Sequence, residues 1–200
     1  FGAVWAGLSF GDGGKYAILI NSTSALFSAG TILFLFWTIT YFARKMFMNQ
    51  KDINISVDAI SLNQTQKLIT LGSGLIGASI FMFSDTFWFS AVEGEVYAMS
   101  SFFTAVIVWL ITKWDPVADT ERGNKWLVVI ALFIGLSIGV HLMAILAVPL
   151  VCYVYYARKY KFSVKSFIIA NIITVGILAF TFKIIFPLTM TFFGKTEIYV

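Results

Sequence analysis

The chain has 200 residues, with 14 Lys and Arg, 10 Asp and Glu, one His and one Cys, for a formal net charge of +4. Hydrophobic residues make up 59% and charged residues 12%, against roughly 45–50% and about 25% in a soluble domain, too few charges to cover a soluble globule. Disorder and a disulfide framework are excluded on the same count, since one needs high charge and the other several Cys.

The +4 balance is not a nucleic-acid signature, because the basic residues fall in short clusters between apolar runs, where they orient membrane helices. The lone Cys152 sits in such a run and reads as inert packing. The chain starts at Phe1, and no stretch has the basic start, apolar core and small-residue cleavage site of a signal peptide. The expectation is a segment of a longer polytopic protein, with residues 1–200 forming one transmembrane domain.

A helix needs roughly 20 apolar residues to cross a bilayer. The first such run extends from Ala17 to Ala43 and is followed by Arg44, Lys45 and Lys51. A polar, amphipathic stretch follows from Asn49 to Gln66. The second run, from Lys67 to Phe83, is rich in small residues (Gly72, Ser73, Gly74, Gly77, Ala78, Ser79) that permit close helix contact. Residues 84–97 then place three acids among aromatics. The third run, Val96 to Ile111, is stopped by Lys113-Trp114-Asp115-Pro116.

From Trp126 to Ala157 the chain is mostly apolar. One helix of that length spans about 48 Å, well past a hydrocarbon core of roughly 30 Å. Two helices of about 20 Å, turning near Gly139-Val140-His141, leave both charged ends on one side, as Lys125 and the cluster Arg158, Lys159, Lys161 and Lys165 require. A short hairpin is therefore expected. The last run, Phe167 to Phe186, is expected to stop at Pro187. The predicted fold is an all-α polytopic bundle of about six membrane helices, the hairpin included.

Charge sets the orientation. The loops 44–67, 113–125 and 158–165 carry all the Lys and Arg except Lys15, Lys183 and Lys195, so they belong inside. Asp12, Asp85, Glu93, Glu95 and Glu197 then lie outside, which makes the outer face net acidic. Trp88 falls at the outer interface and Trp114 and Trp126 at the inner one, where an aromatic belt would place them.

The segment 84–97 is the first candidate site. A loop between spans has no need of Asp85, Glu93 and Glu95 beside Phe87, Trp88, Phe89 and Tyr97. On a helix starting near Ser90, Glu93 and Tyr97 share a face, whereas Glu95 points about 200° away from Glu93. Gly94 weakens a regular helix there and lets the backbone bend. Carboxylates at this place can orient a sugar hydroxyl, act as a base or hold a divalent cation, or be ordinary interfacial charges. His141, the one histidine, either contacts a phosphate or substrate hydroxyl or bonds a backbone carbonyl at a helix break. One His makes no His-based metal site. Asn21-Ser22-Thr23, Asn54-Ile55-Ser56 and Asn63-Gln64-Thr65 match the glycosylation pattern only weakly. The polar ladder Asn21, Ser22, Thr23, Ser24 and Ser28 reads as helix packing, and the basic clusters as topology signals with room for anionic lipid.

Two runs carry a resemblance. Phe87-Trp88-Phe89-Ser90-Ala91-Val92-Glu93-Gly94-Glu95-Val96-Tyr97-Ala98, and Gly135-Leu136-Ser137-Ile138-Gly139-Val140-His141-Leu142 followed by Pro149, resemble the domain-of-unknown-function family 2723, also classed as glycosyltransferase family 117. That family is related to the protein O-mannosyltransferases of the GT-C superfamily. Phe10-Gly11-Asp12, Asn21, Ser24-Ala25-Leu26 and the run to Arg44-Lys45 also resemble its second membrane segment.

The resemblance implies a multi-pass membrane enzyme, with lipid around it, that moves a sugar from a polyprenyl-phosphate donor to a protein acceptor. It implies an active site facing outward, in a bacterial inner membrane. Glu95 and Glu93 are the catalytic candidates, and His141, Asp85, Trp88 and Tyr97 the substrate-binding ones. No metal ligand is assigned, and a divalent cation remains an open possibility. In GT-C enzymes an acid in the first outer loop is the usual base, and the family's acidic motif lies upstream of the part seen here. The principal catalytic acid is thus expected outside residues 1–200, and the segment alone is expected to be inactive. The competing readings are a transporter or flippase for a lipid-linked or amphipathic solute, and a non-catalytic scaffold.

Overall fold

The computed structural model describes residues 7, 12–48, 57, 61–94, 96–141 and 145–198. They are helical, with no strand among the described residues. They fall into two compact units, Phe1–Ala144 and Ile145–Val200.

Among the described residues the first unit holds five α-helices: α1 Gly13–Lys45, α2 Gln64–Met82, α3 Asp85–Val92, α4 Val96–Trp114 and α5 Glu121–Val140. Local signals set their ends. Asp12 caps α1 by accepting the Gly14 N–H at 3.1 Å. Asn63 caps α2 in a reciprocal box with Gln66, which gives this glycosylation-like asparagine a structural task. Pro116 stops α4 in a short 3-10 turn, Asp115–Val117. Gly123 follows because a Cβ there would lie 2.7 Å from the Val117 carbonyl oxygen.

The packing inverts the rule of soluble helices. The buried residues of α1 are Ser24, Ser28, Thr31, Thr38 and Tyr41, while Ile18, Leu26, Leu33 and Phe42 are exposed. Lipid tails are as apolar as leucine, so burying leucine between helices yields little, and small residues that let backbones approach are favoured instead. Thr31 and Thr38 satisfy their hydroxyls on the Phe27 and Phe34 carbonyls one turn back, at 2.9 and 2.8 Å. The expected small-residue face of α2 is used: Thr70, Gly74 and Ala78 are buried at four-residue spacing. A Cβ on Gly74 would meet Thr40 Cγ2 at 2.5 Å, and one on Gly77 would meet Ile39 Cδ1 at 2.7 Å.

Residue pairs fix the directions. Gly94 lies against Asn21, Gly30 against Phe102, Phe34 against Trp109 and Tyr41 against Asp115, so α1 and α4 run parallel. Phe103 meets Phe133, and Tyr97 meets His141, so α5 returns antiparallel to α4. α4 is the centre of the unit, with Ala98, Ile107, Leu110 and Trp114 buried. Trp114 is only 2% exposed, which corrects its expected place in a lipid-facing belt: it packs inside the bundle.

The second unit holds α6 Ala147–Lys159, α7 Val164–Phe180 and α8 Phe186–Ile198. Tyr153 donates to Asn171 Oδ1 at 2.7 Å, and Tyr156 and Ser166 share a hydrogen bond of 2.7 Å, pinning α6 to α7. The helix does not stop at Pro187. A five-residue π-turn, Thr181–Ile185, joins α7 to α8 and carries the helical run through Pro187.

Among the described residues four helical stretches are long and apolar enough to cross a membrane: Gly13–Lys45, Val96–Val117, Glu121–Val140 and Val164–Phe192. The pair α2 and α3, bent by 69°, makes a fifth if counted as one span. The expected sixth crossing came from dividing residues 126–157 into two helices of equal length. The break does fall where expected, with α5 ending at Val140 and His141 extended (φ −156°, ψ 135°). But α5 starts at Glu121, inside the charged loop, because an acidic residue suits a helix N-terminus. It is 20 residues and about 30 Å long, a full crossing, whereas the 13-residue α6 is about 20 Å.

Candidate functional site

The N-terminal end of α1, the end of α3, the start of α4 and the end of α5 lie at one end of the first unit, as the parallel register of α1 and α4 requires. Asp12 is there, capping α1 and paired with Lys15 at 3.1 Å on the exposed surface.

The helix expected from Ser90 onward is broken. α3 ends at Val92, Glu93 takes an extended conformation (φ −90°, ψ 137°), and α4 begins at Val96. Glu93 and Tyr97 therefore do not share a helical face, which corrects the spacing argument. Gly94 bends the chain because the turn is pressed onto α1. A Cβ at 94 would lie 2.8 Å from Ile20 Cγ2 and 2.9 Å from Asn21 Oδ1. This close approach admits only glycine without a shift. Glu93 is exposed beside it. Glu95 lies outside the described residues.

Tyr97 occupies the first turn of α4 and is 45% exposed. Its ring meets the imidazole of His141 with centroids 5.3 Å apart and planes inclined by 52°. His141 is half-buried at the C-terminal end of α5, and its backbone N–H donates to the Ser137 carbonyl at 3.0 Å. Ser137 is itself fully buried and donates to Ile134, so α5 ends firmly. Two candidates 44 residues apart in sequence are thus brought into contact.

The structure does not gather all the acids. Asp85 opens α3 and Glu93 closes it, about 12 Å apart along the axis. Both are exposed. Trp88 is 55% exposed and stacks with Phe83 at 6.5 Å rather than joining Tyr97. Phe87 is the anchor of α3, buried against Phe81 at 4.7 Å. Among the described residues no three His, Cys, Asp or Glu side chains cluster as a metal site would need. Sequence reasoning missed Ile20 and Asn21 as partners of the 93–94 turn; the signal was the asparagine heading the polar ladder on α1.

This arrangement offers an exposed carboxylate, an aromatic ring and an imidazole at one helix-bundle end. Such a set can hold a sugar ring against Tyr97, accept a hydroxyl proton on a carboxylate and hydrogen-bond a phosphate oxygen through His141.

No curated protein and no solved structure matches the chain. A family model does: the protein O-mannosyl-transferase TMEM260 N-terminal domain matches residues 1–164, which include every candidate site residue. Its description is that of a glycosyltransferase, as the resemblance in residues 87–98 and 135–142 implied. With four-fifths of its length matched, the chain belongs to the protein O-mannosyl-transferase TMEM260 N-terminal domain family.

Proposed function

We propose that this chain forms the membrane part of a GT-C-type glycosyltransferase, of glycosyltransferase family 117. It moves a sugar from a polyprenyl-phosphate carrier to a protein hydroxyl at the acidic end of the bundle, which faces outward from a bacterial inner membrane. The observation that carries this reading is the Glu93-Gly94 turn lodged against α1, directly before Tyr97, whose ring meets His141. Family membership supports the reaction class.

The reaction is a displacement at the anomeric carbon. A carboxylate, with Glu95 and Glu93 as candidates in this chain, takes the proton of the acceptor hydroxyl. The hydroxyl oxygen forms the new bond to the anomeric carbon as the bond to the carrier phosphate breaks. The phosphate leaves with the electron pair, and His141 donates a hydrogen bond to it. Tyr97 holds the imidazole in place and offers its exposed ring face to the sugar. Asp85 and Trp88, on the flank of α3, contact the acceptor or the rest of the donor.

The test uses the full-length protein in liposomes, with a radiolabelled polyprenyl-phosphate sugar and a membrane-protein extract as acceptor. Label should move to protein and be lost in Glu95→Gln. Label that crosses the bilayer still attached to its carrier would replace this reading with a flippase. Retained transfer in Glu95→Gln would remove Glu95 from the mechanism.

A further inference from the structure

The part of α1 that meets the Glu93-Gly94 turn brings one more polar side chain to the candidate site. Asn21 stands about two turns into α1 and is exposed. Asparagine favours caps and turns over helix interiors, because its carboxamide competes with the backbone for hydrogen bonds. The neighbours Ser22 and Thr23 return their hydroxyls to the Leu19 carbonyl, at 2.7 and 3.1 Å. The Asn21 carboxamide makes no such bond, nor any other hydrogen bond among the described residues.

Its placement is fixed all the same. Asn21 Oδ1 lies 2.9 Å from the point where a Cβ of residue 94 would stand, so a Cα–H of Gly94 faces that oxygen in a weak C–H···O contact. The oxygen arm of the planar amide is thereby set against the turn. The nitrogen arm keeps both its N–H donors, with no acceptor from the described chain.

Depth in the membrane is the second observation. α1 has 33 residues and is about 50 Å long, against a hydrocarbon core of roughly 30 Å. Counted back from Ala43, which precedes Arg44 and Lys45, about 20 residues fill that core and end near Ser24. Asn21 comes one turn further, about 5 Å beyond, in the headgroup layer. A polyprenyl chain lies in the hydrocarbon, so the phosphate and sugar that it carries lie at the depth of Asn21. Tyr97, whose ring meets His141, is three residues past Gly94.

We propose that Asn21 is a sugar-recognition residue, whose Nδ2 donates a hydrogen bond to one hydroxyl of the lipid-linked donor. The assignment rests on the transferase reading above and adds a specificity determinant to it. A sugar hydroxyl suits this group, because its oxygen accepts from the amide while its own proton stays available to another partner. Being neutral, the amide discriminates between hydroxyl patterns without adding charge beside Glu93.

The experiment measures kcat/KM of the full-length protein in liposomes. The probes are polyprenyl-phosphate mannose, the sugar that the matched family's description names, and its monodeoxy analogues, each lacking one hydroxyl. In the unaltered protein the analogue missing the recognised hydroxyl should lose about three- to tenfold, the worth of one neutral hydrogen bond. In Asn21→Leu the parent donor should lose the same factor and that analogue nothing further, while the other analogues keep their rates relative to the parent. Leucine keeps the size of asparagine against Gly94 and is the better helix former, so the melting temperature should hold. Asn21→Ala, which also opens the contact, should lose the same discrimination. A side chain that only wedges the turn would lower all donors alike in Asn21→Ala and regain wild-type rates in Asn21→Leu. That outcome, or discrimination unchanged in both variants, overturns the assignment and leaves the transferase reading standing. Absence of transfer by the unaltered protein overturns the transferase reading and the assignment with it.

Discussion

Gly94 shows how a single residue joins sequence to site. Its neighbours Glu93 and Glu95 draw attention as acids, but the glycine decides where Glu93 lies, because any Cβ at 94 would collide with Ile20 and Asn21. Gly94→Val is expected to destabilise the protein by about 1–3 kcal/mol, seen in thermal unfolding in detergent, and to lower transfer in parallel. His141 was legible as an oddity, the one histidine in an apolar run; its contact with Tyr97 was not, since nothing local to either residue encodes a pairing 44 positions apart. His141→Ala should reduce sugar transfer by about a hundredfold with little change in melting temperature, if it stabilises the leaving phosphate. Tyr97→Phe keeps the ring and should retain most activity, whereas Tyr97→Ala should lose about tenfold.

At the scale of elements, the small residues of α2 and the stop at Lys113-Trp114-Asp115-Pro116 were readable because each acts within one or two turns. Gly74, Gly77 and Ala78 announced a packing face, and the face is used against α1. Gly74→Leu should separate α2 from α1, lowering stability by about 1–3 kcal/mol in the same unfolding assay. The misread elements share a cause. Pro187 and Gly94 were judged by what they do to an isolated helix: stop it, or bend it. In the chain a π-turn before Pro187 lets the helical run continue through it, and contact with α1 turns the 93–94 bend into a complete break. Pro187→Ala should therefore change stability by no more than about 0.5 kcal/mol, since no helix end depends on it.

For the molecule as a whole, the parallel register of α1 and α4 separates charge. Asp12 and Glu93 share one end of the first unit, and Arg44, Lys45 and Lys113 share the other. If the basic end is cytoplasmic, a membrane-impermeant thiol reagent should label Asp12→Cys from outside intact cells and Thr120→Cys only after permeabilisation, with Cys152 replaced by Ser. The sequence by itself determined that this is an all-helical membrane protein, where most helices begin and end, and which family it resembles. Those properties follow from composition, from apolar runs measured against bilayer thickness, and from the charged clusters and prolines that bound them. Tertiary structure alone decided that Tyr97 meets His141, that Trp114 is core rather than belt, and that Asn21 faces Gly94. These are contacts between residues far apart in the chain, and they depend on how close small residues let two backbones come.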